Sequence, residues 1–415
     1  MIYSLSPEHL LLQQREVAAH ANMHILVGTP LPSPLLIPSP LIHIQLTNDD
    51  GPPHPSHSPY ISTLISVLTS PPYNHTVSVV LPSQQRSWIG KAHLLPASTY
   101  QEPGKPVPQP HHDDDAASKH GGEGLVYGGG NKTQKNDAID DVLRPTYLDP
   151  ATGKIHTRSQ DVPLPQMKSD ESKTSPHFYA LIPGTPATCT QLGLFHHAAL
   201  FPTSTSTSTS YPAIDLVLSG PNHGRNTTAA FALSSGTLGG ALEAAIAGYK
   251  AIALSFAFFT RKESPELIEE ACVLSAKIVA KLMEQWDASS EGKDVDVYSI
   301  NVPLVEGVGQ KDVRWTWMLG NTWRGGRGLY AQIEGGDENG LMKKEKEGVD
   351  GDGDEALPPT FKWSPSFGNI FKTVEESEDG NDGKAIMEGA TSVTPLKANF
   401  MQLHGRGGFS GVMKL

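Results

Sequence analysis

The sequence predicts an α/β fold in which helices cover both faces of a mostly parallel sheet. Three observations predict it. Short apolar runs alternate with helical patterns, the runs lack a period of two, and polar loops follow several of them. Strands that are buried on both faces are continuously apolar, as these runs are. We therefore expect a three-layer core with a C-terminal β extension and long disordered inserts.

The first predicted strand, 42–47, ends at the polar loop NDDG. Residues 60–68 have apolar side chains at helical spacing, and 76–81 is rich in β-branched residues, which favour strands. Alternation then continues with strand 213–218, helix 237–250, strand 251–257, helix 264–286 and strand 295–302. Ser264 is a candidate N-cap for the last helix, and Pro265 suits its first position. Short β-like pieces such as 390–396 follow.

Composition divides the chain into one domain, 42–403, with irregular segments around and inside it. Prolines make 1–41 an irregular appendage. Residues 99–176 and 334–357 are rich in Gly, Pro and charge, so we expect disordered inserts there. Residues 404–415 form a tail.

A gene-model hypothesis concerns the proline-rich segment 27–45. Deleting it joins MHIL to LTNDDG, and its ends fit an intron, because valine codons begin with GT and one glutamine codon ends with AG. If this hypothesis is correct, the native first strand is 24–26 joined to 46–47.

Overall charge and cysteine content exclude several classes of function. A net charge of −12 argues against a broad nucleic-acid-binding surface. Two cysteines provide neither a disulfide framework nor a cysteine metal site. No apolar run is long enough to span a membrane, and no compact signal-peptide core begins the chain. We expect a cytoplasmic protein in a reducing compartment.

Three polar loops follow predicted parallel strands and should open onto one edge of the sheet. They contribute oxygen atoms from Asp49 and Asp50, from Ser87 and from Asn222. Hard oxygen donors suit Mg²⁺, Mn²⁺ or Ca²⁺. Two adjacent buried carboxylates repel each other unless a cation lies between them. The alternative interpretation is that one aspartate only caps the next helix.

A fourth element, LSSGTLGGALEAA, places hydroxyl residues at a predicted helix start. Free N–H groups and the positive end of the helix dipole suit a phosphate at Ser235, Gly236 and Thr237. The alternative is an ordinary Ser/Thr N-cap.

The ordered series TNDDG, PSQQRSWIGKA, PGTPATCTQLGL, SGPNHGRN…SSGTLGGALEAA, INVP and TSVTPLKANF resembles the survival protein SurE family. The resemblance covers most of residues 42–100, 178–330 and 360–400. It implies a Rossmann-like α/β core, metal-dependent hydrolysis of nucleoside monophosphates, one divalent cation per subunit and a homodimer or higher homo-oligomer. By resemblance, the metal ligands are Asp49, Asp50, Ser87 and Asn222, with both aspartates catalytic. The phosphate-contacting positions are Asn226, Ser235, Gly236 and Thr237.

This sequence departs from the family pattern at three points. PPHPSHSP follows Gly51, Ser83 replaces an aspartate, and Arg225 precedes Asn226. Arg225 could bind phosphate or be solvated. The attacking group implied is a metal-ordered water, with direct attack by an aspartate as the less favoured route.

Other candidate groups are weaker. HHDDD (111–115) lies in an expected insert, and DGDGDE (350–355) lacks the spacing of a calcium loop. Trp315, Trp317 and Trp323 could stack a base, although core packing is commoner. His93 and His223 are more often structural. A nucleotide- or phosphate-binding protein that has lost turnover remains the alternative to an enzyme.

Overall fold

The structure is a computed structural model that describes residues 41–94, 142–163, 176–202, 213–259, 263–288, 294–323, 328–333 and 359–399. Within these residues the chain forms the following strands: β1 (His43–Thr47), β2 (Thr76–Pro82), β3 (Thr146–Leu148), β4 (Ile155–His156), β5 (Tyr179–Ile182), β6 (Leu216–His223), β7 (Ala251–Ala257), β8 (Val297–Pro303), β9 (Val313–Trp315), β10 (Tyr330–Ile333), β11 (Thr360–Trp363) and β12 (Thr391–Leu396).

The helices in the same residues are α1 (Ile61–Thr69), α2 (Pro186–Phe195), α3 (His197–Leu200), α4 (Thr228–Ala232), α5 (Gly236–Ile246), α6 (Pro265–Ala288), α7 (Gly368–Glu375) and α8 (Asp382–Met387). Ser264 accepts a hydrogen bond from Leu267 N at 3.2 Å, as expected for the N-cap of α6. No helix in this part of the chain is both long and apolar enough to cross a bilayer.

One large sheet organises the described residues, with the strand order β4-β3-β5-β2-β1-β6-β7-β8-β12-β9. Strands β5, β2, β1, β6, β7 and β8 are parallel neighbours. From β1 the chain builds outward through β2 and β5, then returns to β6 and builds the other half through β7 and β8. The strand order therefore reverses between β1 and β6, which is where ligands bind in open α/β sheets.

Helices cover both faces of this sheet, and the alternation along β6 separates the two layers. Leu216 and Leu218 belong to the core formed with α1 and α6. Val217 lies between them in sequence and packs in the core formed with α5. Side chains alternate across a strand, so these cores lie on opposite faces. The predicted Rossmann-like three-layer fold is confirmed.

The expectation of disorder throughout 99–176 is wrong for residues 142–163. Strand β3 pairs antiparallel with β5 and with β4. Tyr147 is buried against Phe178, with ring centroids 5.2 Å apart. A strand of three residues inside a Gly-, Pro- and charge-rich tract gives too short a pattern to recognise. The remainder of that tract, with its HHDDD motif, lies outside the described residues.

Strand β6 continues beyond its predicted end and delivers the next loop. Its register with β7 shifts between Ser219 and Asn222. At Gly220 the backbone has φ +129°, and a Cβ atom would collide with the Leu254 carbonyl oxygen. Glycine therefore permits a bulge that carries Asn222 to the carboxyl edge of the sheet.

The C-terminal strand is part of the main sheet, because β12 pairs antiparallel with β8 and parallel with β9. Strands β10 and β11 form a separate antiparallel pair. Residues 1–40, the DGDGDE motif and the 404–415 tail lie outside the described residues.

Candidate active site

The acidic loop that follows β1 is locked by its own asparagine. Gly51 N donates to Asn48 Oδ1 at 3.0 Å, and Asn48 Nδ2 donates to Gly51 O at 2.9 Å. Gly51 has φ +83°, and a Cβ there would lie 3.1 Å from the carbonyl carbon of Gln84. The turn is therefore held rigidly against the loop after β2.

Asp49 is held by the first turn of α5. Its carboxylate is 3% exposed and accepts a hydrogen bond from Thr237 Oγ1 at 2.6 Å. Burial raises the pKa of Asp49, while the Thr237 hydroxyl and the N–H groups of Thr237 and Gly236 lower it. A Cβ at Gly236 would lie 2.8 Å from Asp49 Cβ, so only glycine allows this approach. The helix start that the sequence assigned to a phosphate faces a carboxylate.

Asp50 is also buried and is held from the other half of the sheet. It is 1% exposed, and its Oδ2 accepts a hydrogen bond from His223 N at 2.7 Å. Burial, followed by the negative charge of Asp49, raises the pKa of Asp50 well above its usual range. The β1 loop and the β6 loop therefore meet at Asp50, across the reversal of strand order.

This carboxylate pair fits a divalent cation. Among the described residues, neither Asp49 nor Asp50 forms an ion pair with a lysine, arginine or histidine. Two adjacent buried carboxylates are costly without positive charge nearby. The described residues contain no group of three or more His, Cys, Asp or Glu side chains placed to hold a metal. Further ligands would therefore come from amide, hydroxyl or water oxygens.

Asn222 and Ser87 reach this edge of the sheet in different ways. Asn222 is buried and donates from Nδ2 to Gly224 O at 2.9 Å, which leaves its amide oxygen for a cation. Ser87 is exposed, and its Oγ accepts from Gln85 Nε2 at 3.1 Å. Its neighbour Arg86 donates from N to Asp49 O at 2.6 Å. The structure thus ties the Ser87 loop to Asp49 while the Ser87 side chain faces solvent.

Asn226, predicted to contact phosphate, is bonded within the protein through both of its nitrogen atoms. It is buried, with N donating to Asn301 Oδ1 and Nδ2 donating to Ser255 Oγ, each at 2.8 Å. These hydrogen bonds attach the loop after β6 to strands β7 and β8. Asn301 and Ser255 were missed by sequence reasoning, although Asn301 lies in the INVP motif.

Ser235 is the N-cap of α5, since its Oγ accepts from Leu238 N at 3.0 Å. Its hydroxyl hydrogen is still available for a ligand oxygen. With Thr237 bonded to Asp49, the predicted phosphate residues are mostly engaged with the protein itself.

The tryptophans and histidines proposed as ligand-binding residues have structural neighbours. Trp315 packs against Tyr298, with ring centroids 5.9 Å apart, and the Trp317 ring lies against Gly380. His93 Nε2 lies 3.3 Å from the carboxylate of the buried Glu243. Trp323 belongs to an aromatic cluster beside the Ser87 loop, made of Trp88, Phe231, Trp323, Trp363 and Phe367.

His223 uses its backbone for Asp50 and its ring for packing. The ring contacts Tyr60 and Phe258, with centroids 5.5 Å and 4.8 Å away. Burial lowers the pKa of His223, which favours the neutral imidazole.

Comparison with known proteins identifies relatives of this chain. The model of the family "Survival protein SurE" matches residues 44–325, which include all the predicted site residues. Saccharomyces cerevisiae has a relative, "Probable tubulin--tyrosine ligase PBY1", that is 31% identical over 377 residues. That alignment covers 86% of this chain and 41% of the yeast protein.

Bacterial relatives align over a smaller share of this chain. The 5'-nucleotidase SurE of Ruegeria pomeroyi is 32% identical over 190 residues, covering 45% of this chain and 61% of that enzyme. The chain thus spans less than two thirds of the yeast and Ruegeria proteins. The 5'-nucleotidase SurE of Aquifex aeolicus is 29% identical, covering 59% of this chain and 76% of the enzyme. The crystal structure of an Aquifex aeolicus SurE protein aligns with a TM-score of 0.46 at 21% identity, over 86% of this chain and 94% of that one.

Proposed function

Because the chain belongs to the survival protein SurE family, we propose that it is a metal-dependent phosphomonoesterase acting on nucleoside 5'-monophosphates or similar esters. The names of its bacterial relatives support this activity. One structural observation carries the proposal. Two adjacent carboxylates are buried at the reversal of strand order, each held by a fixed donor, and neither has a cationic partner among the described residues.

The proposed ligands of one Mg²⁺ or Mn²⁺ ion are Asp49, Asp50, Asn222 Oδ1 and Ser87 Oγ. When bound, the cation would neutralise phosphate charge and act as a Lewis acid. Thr237 holds Asp49 Oδ1 and the His223 amide holds Asp50 Oδ2, and donors of this kind orient carboxylates that bind a metal. Ser87 would reach the ion by turning its exposed side chain away from Gln85.

The proposed reaction is attack of a water oxygen on phosphorus, with cleavage of the phosphorus–ester oxygen bond and protonation of the leaving alcohol. Asp49 and Asp50 serve as ligands, which disfavours the aspartyl-phosphate route. Ser235 directly precedes Gly236, which lies against Asp49, and the Ser235 hydroxyl can donate to a phosphate oxygen. Asn226 is assigned a positioning role, since its two nitrogen atoms bind Asn301 and Ser255.

A second candidate function is binding of phosphate or a nucleotide without turnover. It is favoured by the hydrogen bonds that several predicted phosphate donors already make within the protein. Thr237 and Asn226 are bonded inside the protein, so fewer groups remain for a transition state than the family resemblance implies. The yeast relative is named a probable ligase, but this chain spans 41% of it.

We also propose a homodimer formed through the β10–β11 pair. This pair exposes Tyr330, Phe361 and Trp363 at 62%, 59% and 45% of their surfaces. Aromatic side chains are enriched in protein interfaces, and these three share one face of the pair. Light scattering of the full chain should give a dimer mass, and Phe361→Ser should lower it; a monomeric wild type would contradict the proposal.

Phosphate release from AMP, GMP and p-nitrophenyl phosphate tests the enzyme proposal, with Mg²⁺ or Mn²⁺ and with EDTA. We expect turnover that EDTA abolishes. Asp49→Asn and Asp50→Asn should each lower kcat at least about 100-fold with the fold retained. Asp161→Asn, at an exposed carboxylate, is the matched control. Turnover retained in both site variants, or unaffected by EDTA, would reject the metal assignment, whereas phosphate binding without turnover would establish the second function.

A further inference from the structure

Arg225 occupies an unusual position two residues beyond the end of β6. Its guanidinium carbon lies 5.2 Å from the ring centroid of Phe259 and 5.2 Å from that of Phe371. Phe259 follows β7, and Phe371 lies on α7, so three separate parts of the chain build this arrangement. Cation–π contacts with two rings hold a guanidinium in a defined place and leave its N–H edge available.

No anion partner for Arg225 exists among the described residues. The ion pairs found there involve other lysine, arginine and histidine side chains. Arg225 is half-buried, and burial lowers its pKa, so the environment disfavours an unpaired charge. Rings alone do not use the hydrogen-bonding capacity of a guanidinium, which has five N–H donors.

The charges around the β6 loop are complementary to a metal–phosphate pair. His223, two residues before Arg225, binds Asp50, and the two carboxylates lack a cation among the described residues. Arg225 lacks an anion at the other end of the same loop. Asn226, the other candidate donor in the loop, is bonded to Asn301 and Ser255. Lys91, on the loop after β2, is paired with Glu243 at 2.5 Å. Arg225 is therefore the loop's available cation.

We propose that Arg225 binds the phosphate of the substrate through its N–H edge and that Phe259 and Phe371 position it. This inference rests on the proposed phosphomonoesterase site and adds its specificity residue. A guanidinium forks onto two oxygens of one phosphate. A monoester dianion has three terminal oxygens, whereas a diester has two and a single charge. The fork fits either ester, since both offer two oxygens, and it is the second negative charge of the monoester that favours it beside a guanidinium and a divalent cation.

The experiment uses the full chain with Mg²⁺ and measures calorimetric binding of inorganic phosphate together with the kinetics of AMP hydrolysis. Arg225→Gln should raise Kd for phosphate and KM for AMP at least tenfold. For Arg225→Lys we expect Kd and KM values between those of the wild type and of Arg225→Gln. An ammonium keeps the positive charge but cannot form the two parallel hydrogen bonds of a guanidinium. Arg158→Gln, at an exposed arginine, is the matched control and should change neither value.

Phe371→Leu tests the positioning role, with Phe195→Leu at another exposed ring as its control. We expect KM to rise about threefold with kcat nearly unchanged, since the guanidinium remains but is held less firmly. A purely structural role would lower melting temperature without this KM-against-kcat split.

The outcomes separate this inference from the proposed function. Turnover in the wild type with unchanged Kd and KM in Arg225→Gln overturns the role of Arg225 and leaves the phosphatase intact. Phosphate binding that depends on Arg225 in a wild type without turnover supports the role and rejects the phosphatase. If Arg225→Gln does not fold, Arg225→Lys decides: an unchanged Kd overturns the inference, and a raised Kd supports it.

Discussion

Thr237 donates its hydroxyl hydrogen to Asp49, with Oγ1 2.6 Å from Oδ1, across 188 positions of sequence. The bond joins the first turn of α5 to the loop after β1, on the edge where the strand order reverses. It fixes Oδ1 of Asp49 at the start of α5. The Thr237 hydroxyl, at the start of a helix, thus positions a carboxylate of the protein itself.

Thr237→Val should weaken cation binding about tenfold, because a hydrogen-bond donor that orients a metal ligand typically contributes about 10- to 100-fold in affinity. Loss of the hydroxyl also removes a group that lowers the pKa of Asp49. Calorimetric titration with Mn²⁺ measures the dissociation constant of the cation in each variant. Thr237→Ser keeps the hydroxyl and should bind nearly as the wild type does. Equal affinities in the valine and serine variants would show that the bond does not support the site.

Gly236→Ala should reduce phosphate release at least tenfold, because the new methyl group would lie 2.8 Å from Asp49 Cβ and 2.9 Å from Ile89 Cγ2. A displacement of about 1 Å at a catalytic group can cost about 100-fold in rate. Gly320→Ala is the control, since a methyl group at that position would have nothing within 4 Å and its φ is unstrained. Equal activities of the two variants would contradict the close approach.

Asp50→Asn should stabilise the metal-free protein while removing its response to metal. Burial raises the pKa of Asp50 above the usual 3.8, so the folded state binds a proton that the unfolded state has lost. Stability of the metal-free wild type therefore falls as pH rises above 3.8, and the variant lacks this loss. Thermal melts in EDTA and in Mn²⁺ at pH 5 and pH 7 measure both effects. A variant less stable than the wild type in EDTA at pH 7 would contradict the prediction.

Gln45→Leu should stabilise the fold by about 1 kcal/mol, because it removes a buried unpaired carbonyl. Gln45 is 0% exposed, and its Oε1 has no partner among the described residues. Its Nε2 makes only long bonds, 3.2 Å to Cys189 O and 3.3 Å to Thr190 O. Urea unfolding measures the change. A destabilised variant would show that these two bonds outweigh the unpaired oxygen.

The same position bears on the gene-model hypothesis for 27–45. Joining residue 26 to residue 46 gives the strand His-Ile-Leu-Leu-Thr in place of His-Ile-Gln-Leu-Thr, so the only change along β1 is leucine for Gln45. Gly193 leaves room for the Gln45 amide, since a Cβ there would collide with it. Both strands therefore fit the sheet. Transcript sequencing distinguishes them, and codons for 27–45 in the mature message would refute the hypothesis.

His197→Phe should make the protein less sensitive to acid. Burial, followed by the charge of His43, lowers the pKa of His197 from 6.5 to about 4. As pH falls below 6.5, the unfolded state binds a proton at this histidine, whereas the folded state binds it only near pH 4. The free energy of unfolding therefore decreases as pH falls from 6.5 to about 4. Phenylalanine keeps the stacking on Phe201, whose ring centroid is 4.8 Å away. Unfolding free energies from pH 7 to pH 4 should fall less steeply in the variant; parallel curves would contradict the assignment.

Several features of the fold were predictable because they depend on local patterns. Apolar runs without a period of two identified the central strands, and Ser264 with Pro265 identified the start of α6. Helix α5 ends at Ile246, earlier than predicted, and Gly248 follows with φ +87°. Strand β3 was missed because its order comes from pairing with β5, which no local pattern shows.

By itself the sequence determined the order of strands and helices, the acidic pair after β1 and the loops that accompany it. Only the tertiary structure decided what each side chain binds. Thr237, predicted to contact a phosphate, donates to Asp49, and Asn226, with the same predicted role, donates to Ser255 and Asn301. Arg225, left open between phosphate and solvent, lies between two phenyl rings. The physical reason is that a hydrogen bond depends on a distance of about 3 Å. The parallel sheet places the ends of loops that are far apart in sequence within that distance of one another, and no local sequence pattern shows which side chains will meet.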